Sequence, residues 1–260
     1  MNGVALIWSK DMREMLFSRK ATLSLVLGTL LYSLASYLIL TNTGITLLTQ
    51  AEALWAFSKT AILVGLLVVL VESSASLASE FESGTADLLL VAPLSLRELV
   101  LAKVGVALTL WAALYLVSIP YVIVIATGTG ATFACLAYSA VVGTLAVGAL
   151  ALPVTALGLA FRSVRNTLVT SLLVLLAFAV PAFFAGTLSA GGVGTVLKRL
   201  DPVQNAFAIL DNVIVDNNFS VGSNAGDLTS LVVFFLGSCV VLAVVVLHIE
   251  RTGPVPPAGP

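Results

Sequence analysis

Charged residues are scarce in this chain. They make up 10% of its 260 residues, with 12 Lys and Arg against 13 Asp and Glu and a net charge of −1. A soluble globular domain carries about 25% charged residues. Hydrophobic residues reach 59% and the mean hydropathy is +1.11, which is more apolar surface than a soluble fold of this length can bury. Nucleic-acid-binding proteins are basic, whereas this chain has a net charge close to zero, so we expect no nucleic-acid partner.

Cysteine and histidine are rarer still, with two cysteines and one histidine in the whole chain. Cys135 and Cys239 both lie in apolar runs, where a cysteine serves as a small apolar residue, so we predict neither a disulfide nor a metal site. His248 ends the last apolar run and is interpreted as a membrane-interface residue. An intramembrane enzyme needs acids, His or Cys clustered on one cavity. No such cluster is visible, so the sequence favours a protein without catalytic site, cofactor or metal of its own.

Long apolar runs dominate what is present. They are continuous over about 20 residues, as transmembrane helices require, whereas the strands of a barrel would alternate apolar and polar residues. We therefore predict an all-α integral membrane protein, with residues 1–260 forming a single transmembrane domain. The six predicted spans cover residues 21–40, 54–71, 104–125, 133–161, 168–184 and 228–248.

The two ends of the chain differ from the spans. Residues 4–17 place apolar and basic side chains on opposite faces of a helix, so 1–20 is predicted as an amphipathic elbow helix in the membrane surface. The proline-rich stretch 253–260 is predicted to be a disordered tail.

Positive charge predicts the orientation. With the N-terminus inside, nine Lys and Arg residues fall on the cytoplasmic side and only Lys198 and Arg199 fall outside. The nine are Lys10, Arg13, Arg19, Lys20, Arg97, Lys103, Arg162, Arg165 and Arg251. By the positive-inside rule we expect a multi-pass protein of the cell inner (plasma) membrane, with both termini cytoplasmic.

A long connection, residues 72–103, joins the second and third spans on this inner side. The second span is predicted to continue as a polar helix to about Glu82, where Gly84 can end it. A short helix over 85–91 follows, and Pro93 stops it. The sequence Ser-Leu-Arg-Glu over 95–98 is a capping box that starts the next helix.

Three consecutive leucines in this connection would be exposed to water on an isolated cytoplasmic helix. They suit a hydrophobic groove on a partner protein, with charged residues around them to set the register. The leucines are Leu88, Leu89 and Leu90, and the charged residues are Glu80, Glu82, Asp87 and Arg97. The alternative is that the leucines lie in the membrane interface, and the residues alone leave both interpretations open.

The stretch from Glu80 to Lys103 resembles the signature loop of ABC-2-type (type V) transporter permeases. It holds an acidic residue, Gly-Thr, a leucine-rich turn, Pro-Leu-Ser and a basic residue, and it closes on a lysine. The elbow helix, the six spans and a long outer segment, residues 185–227, extend the resemblance over nearly the whole chain. The haem-export permease of cytochrome c maturation is a related alternative, although no outer segment of this length is expected in it.

The resemblance implies that the loop carries a coupling helix that inserts into a cytoplasmic ABC ATPase subunit. The implied coupling residues are Glu80, Glu82, Gly84, Thr85, Asp87, Leu88, Leu89, Leu90, Pro93 and Arg97. It also implies two permeases, as a homodimer or with a related chain, working with two ATPases that hold ATP and Mg. The chain has no Gly-x-x-x-x-Gly-Lys-Ser/Thr phosphate loop, in keeping with a separate ATPase. The resemblance implies a transporter, expected to be an exporter; the alternative is a non-transport membrane anchor that an ATPase moves through the same loop.

The outer segment contains a helix start at Asp201-Pro202, an N-cap followed by proline at the first position. An apolar stripe at helical spacing continues it, formed by Val203, Phe207, Leu210 and Ile214. In the resembling family such helices dip back into the outer leaflet, which makes this a re-entrant segment. The outer gate candidates are Asp201, Pro202, Phe207 and Leu210. The alternative is a surface cap on the bundle.

Ionisable residues are nearly absent from the spans. Lys59 lies in the second span, where it is expected to snorkel to the outer headgroups rather than line a substrate path. Ion-coupled transporters need ionisable groups at mid-membrane. Their scarcity favours energy supplied from outside the membrane, and it leaves the substrate unspecified.

Overall fold

The computed structural model describes residues 19–41, 49–83, 95–127, 129–183 and 199–252. Within these residues the chain is helical and contains no strand. The helices are α1 Arg19–Thr41, α2 Gln50–Glu82, α3 Leu96–Ile125, α4 Thr132–Phe161, α5 Val164–Phe183, α6 Pro202–Ile214 and α7 Ala225–Thr252.

All of these helices except α6 are long and apolar enough to cross a membrane. The prediction of an all-α membrane protein with six spans is therefore confirmed, and the chain is a multi-pass membrane protein. The predicted tail 253–260 and the predicted short helix over 85–91 lie outside the described residues. Of the predicted elbow helix over 1–20, only residues 19 and 20 are described, and they belong to α1.

The spans run longer than the apolar runs alone indicate. The predicted polar extension of the second span is present, because α2 continues without a break to Glu82. At its other end α2 begins at Gln50, four residues before the predicted start. A capping box explains this: Thr49 accepts from the Glu52 backbone N–H at 3.3 Å, and the Glu52 carboxylate accepts from the Thr49 N–H at 2.6 Å.

Contacts between helix ends distinguish the two ends of the bundle. At one end, the Gln50 side chain at the start of α2 donates a hydrogen bond to the carbonyl of Thr127 just after α3, and α6 packs among the helices there. At the other end, the Glu82 carboxylate at the end of α2 accepts from the Val164 N–H at the start of α5. We call these the α6 end and the Glu82 end.

The centre of the bundle is a close packing of α2, α3 and α4 around Trp111. Its indole lies against Gly65 of α2 and Gly143 of α4, and a β-carbon at either glycine would overlap the ring. The indole N–H donates to Thr144 Oγ1 at 3.0 Å. Small residues allow close approach of helices where lipid supplies no hydrophobic driving force between them. Trp111 thus fixes the distances among the three central helices.

Candidate functional site

The two helices that flank the loop of residues 84–94 are joined to each other by an ion pair. Glu80, in the last turn of α2, lies 2.5 Å from the ammonium of Lys103 in α3. The Lys103 side chain is only 9% exposed and that of Glu80 19%, so water screens the pair less than a surface pair. The end of α2 and the beginning of α3 are therefore held side by side.

A second ion pair joins α3 to the last span. Arg97, in the first turn of α3, donates from Nε to both carboxylate oxygens of Glu250 in α7, at 3.1 and 3.0 Å, and from Nη2 to one of them at 2.6 Å. The pair is solvent-exposed and adds little to stability. Its forked geometry nevertheless fixes the orientation of the two helix ends.

The last residues of α2 also contact the link between α4 and α5. The Glu82 carboxylate accepts from the Val164 N–H at 2.8 Å, which places a negative charge at the positive end of the α5 dipole. The guanidinium of Arg162 lies 5.2 Å from the centre of the Phe81 ring. Arg162 ends α4 with a left-handed backbone, φ +51°, and this turns the chain directly into α5.

The structure thus describes three of the predicted coupling residues, Glu80, Glu82 and Arg97, and places all of them at the Glu82 end. Each contacts another helix of this chain. The other predicted coupling residues lie outside the described residues: Gly84, Thr85, Asp87, Leu88, Leu89, Leu90 and Pro93. Sequence reasoning missed Glu250 and the Val164 N–H as partners, because nothing local links positions so far apart in the chain.

At the opposite end, α6 begins as predicted. Asp201 is the N-cap and Pro202 the first helical residue, and Asp201 Oδ1 accepts from the backbone N–H groups of Val203 at 2.9 Å and Gln204 at 3.1 Å. Asp201 is 4% exposed, and burial raises its pKa to about 6. Asn205 secures the same turn by donating to the Arg199 carbonyl at 2.9 Å.

Helix α6 is inserted among the spans. It packs against α2, α4, α5 and α7. Its predicted apolar stripe is buried, with Val203 and Leu210 fully enclosed and Phe207 5% exposed. Every residue from 202 to 207 is buried, including the polar Gln204 and Asn205. A helix that caps the bundle surface would expose one face over its whole length, so the burial favours an inserted segment.

Lys59 joins α2 to α6. Its ammonium lies 3.3 Å from the centre of the Trp55 ring and 5.7 Å from that of Phe207, while the Trp55 indole donates to the Phe207 carbonyl at 3.3 Å. Asp211 of α6 lies within electrostatic reach of Lys59. Burial and Asp216 raise the Asp211 pKa, and Lys59 opposes them. Lys59 therefore lies against the rings of a helix-to-helix contact.

An apolar groove opens beside α6. Its volume is about 210 Å³, and it lies between α4, α6 and the beginning of α7. The lining residues are Tyr138, Val141, Val142, Ile209, Val221, Asn224 and Leu228. The Tyr138 hydroxyl donates to the Phe219 carbonyl at 3.0 Å, which holds the segment before α7 against α4.

Within the described residues no three His, Cys, Asp or Glu side chains are grouped in a way that could hold a metal ion. The chain matches no family model and no curated protein. The arrangement at the two ends therefore has to be interpreted from its own geometry.

Proposed function

We propose that this chain is the transmembrane permease subunit of an ATP-driven ABC transporter, acting as an exporter. Separate cytoplasmic ATPase subunits, with ATP and Mg, would bind the loop between α2 and α3. Two permeases, two copies of this chain or this chain with a related one, would work with two ATPases. The observation that carries the proposal is the set of contacts from both flanks of that loop to α3, α5 and α7.

Such contacts suit a loop that receives force. A flexible connection would absorb the displacement of a bound partner, whereas flanks fixed by Glu80, Glu82 and Arg97 pass it to the bundle. The 33 residues of α2 form one helix about 50 Å long. This single helix carries the flank of the loop at one end and the contacts of Trp55 and Lys59 with α6 at the other.

The proposed orientation places the Glu82 end in the cytoplasm, because Lys and Arg concentrate on that side. Helix α6 then lies in the outer half of the membrane. Asp201, Pro202, Phe207 and Leu210 would form the outer gate. ATP-driven closure of the ATPases would move the loop, shift α2 against α6 and open the path at the α6 end, as one rigid element moving against another.

The proposed contact between the leucines of the loop and a groove on the ATPase provides the test. Leu89→Asp places a charge where the proposal requires an apolar contact, so the ATPase should be lost from the complex. The permease would be purified from its native membranes, and bound ATPase detected by photolabelling with an azido-ATP and by vanadate-sensitive ATP hydrolysis. We expect both signals to fall at least tenfold.

Leu89→Met is the matched control, since it conserves volume and apolar character and should retain both signals. Size-exclusion elution would show that the two variants are equally folded. Undiminished photolabelling and hydrolysis in a folded Leu89→Asp variant would contradict the assignment of this loop.

A further inference from the structure

Asp201, the N-cap of α6, has a buried carboxylate oxygen with no hydrogen-bond partner among the residues that the structure describes. Asp201 Oδ1 accepts two backbone hydrogen bonds, at 2.9 and 3.1 Å, as an N-cap does. Oδ2 is fully buried, and no group in the described part of the chain donates to it. A neutral carboxyl tolerates this position far better than a carboxylate, because a buried charge without a partner is costly.

Among the described residues, no charged neighbour compensates for the missing partner. The charged residue nearest to Asp201 in sequence is Arg199, whose backbone carbonyl accepts a hydrogen bond from Asn205. The helices packed against α6 contribute Glu52 and Lys59 from α2 and Asp227 from α7 at this end. None of the three pairs with Asp201, whose ionisation is governed by burial and by its two backbone bonds.

The two other helices packed against α6 add no charge at this end. Helix α4 contains no Asp, Glu, Lys, Arg or His, and its titratable groups here are the thiol of Cys135 and the hydroxyl of Tyr138. The Cys135 thiol is hydrogen-bonded to the Ser58 hydroxyl, and the Tyr138 hydroxyl donates a hydrogen bond to the Phe219 carbonyl. Helix α5 carries Arg165 alone, in its first turn at the Glu82 end.

We propose that Asp201 is a proton-binding site that controls the seating of α6. With the carboxyl protonated, the first turn of α6 stays inserted among α2, α4, α5 and α7. Loss of the proton to water leaves a carboxylate whose Oδ2 needs hydration, and the first turn moves out of the bundle to reach it. This deepens the gate assigned under the proposed function, but it concerns α6 alone and its test needs neither an ATPase nor transport.

The size of the effect follows from linkage. Burial raises the Asp201 pKa from its ordinary value of 3.8 to about 6 in the seated helix. Because the seated pKa is the higher one, seating is strongest below 3.8, weakens as pH rises through 6 and then levels off. If the unseated carboxyl has its ordinary pKa, the ratio of unseated to seated helix rises about tenfold between pH 5 and pH 7.5.

The test measures access to the buried face of α6. Val203→Cys introduces a slightly smaller side chain at a fully buried position two residues after Asp201, in a chain whose own cysteines are replaced as Cys135→Ser and Cys239→Ala. Val221→Cys is the matched exposed reporter at the same end. Both are treated with a charged methanethiosulfonate from pH 5 to pH 8. Taking the ratio of the two rates removes the pH dependence of the thiol reaction itself.

We expect the reaction rate of Val203→Cys, divided by that of Val221→Cys, to rise about tenfold from pH 5 to pH 7.5 and to level off above pH 7.5. The rise should vanish in Asp201→Asn and in Asp201→Ser, both of which retain an N-cap side chain without a titrating carboxyl. A constant ratio in the chain with Asp201 would overturn the proposal, and so would a rise that persists in either folded variant.

Size-exclusion elution decides whether each variant is folded. If neither is, the infrared band of the protonated carboxyl in the chain with Asp201 decides: its loss between pH 5 and pH 7.5, in step with the rise in reactivity, supports the proposal. A band that stays constant while reactivity rises contradicts it. Failure here leaves the ATPase loop untouched, since Leu89→Asp is measured at the other end of the molecule.

Discussion

Glycine has two different roles among the residues of this bundle. At Gly65 and Gly143 the missing side chain leaves room for the Trp111 indole between α2 and α4. At Gly237, in α7, no atom of the described residues other than the neighbouring backbone of α7 lies within 4 Å of the place that a β-carbon would take. The same residue type is therefore a packing requirement at the first two positions and only a weak helix former at the third.

This contrast gives a prediction at the residue scale. Gly65→Ala forces the indole aside in a closely packed centre and should lower the free energy of unfolding by about 1–3 kcal/mol. In Gly237→Ala the added methyl group contacts no neighbouring side chain among the described residues, so the substitution should be neutral or slightly stabilising through helix propensity. Unfolding of the purified protein by sodium dodecyl sulfate, followed by tryptophan fluorescence, would compare them. Equal midpoints for the two variants would refute the packing role of Gly65.

At the scale of elements, the start of α3 depends on a local capping box. The Ser95 hydroxyl accepts from the Glu98 N–H at 3.3 Å, and the Glu98 carboxylate accepts from the Ser95 N–H at 3.0 Å. Arg97 lies inside this first turn and reaches Glu250 from it. The cap therefore orders the flank of the loop on the α3 side.

Ser95→Ala should fray this turn at a cost of about 1 kcal/mol, while Ser95→Asp keeps a side chain that caps well. Hydrogen exchange followed by mass spectrometry is the measurement: peptides that cover residues 95–100 should exchange several-fold faster in Ser95→Ala only. Peptides over the second capping box, at Thr49 and Glu52, serve as an internal control. Unchanged exchange at the start of α3 would show that tertiary contacts, not the cap, hold it.

The same element shows what the sequence could predict. The capping box of α3, the extension of α2 to Glu82 and the N-cap of α6 were predictable because each follows from residues a few positions apart. The pairing of Arg97 with Glu250 was not, since it joins residues 153 positions apart. The contact of Lys59 with Phe207 was not predictable either, since α6 is distant in sequence, whereas its contact with Trp55, four residues earlier on α2, is local.

On the scale of the whole molecule, α2 is a helix with side-chain contacts at both ends of the bundle. Its last turn holds Glu80 and Glu82, and its first turns hold Trp55 and Lys59 against α6. The proposed transporter needs a physical link between the ATPase loop and the gate. A continuous helix with side chains fixed at both ends is such a link, and its contribution can be measured only by perturbing one end while observing the other.

Lys59→Met supplies that perturbation. It keeps much of the side-chain length but removes the cation over Trp55 and the charge opposite Asp211. In the purified complex, ATP with vanadate should change the methanethiosulfonate reactivity of Val203→Cys when Lys59 is present. With Lys59→Met the ATPase should still bind and hydrolyse ATP, while the change in reactivity becomes several-fold smaller. Lys59→Arg retains the cation and should retain the response. A full response in Lys59→Met would show that α2 moves α6 without this contact, whereas loss of hydrolysis would contradict its placement away from the ATPase.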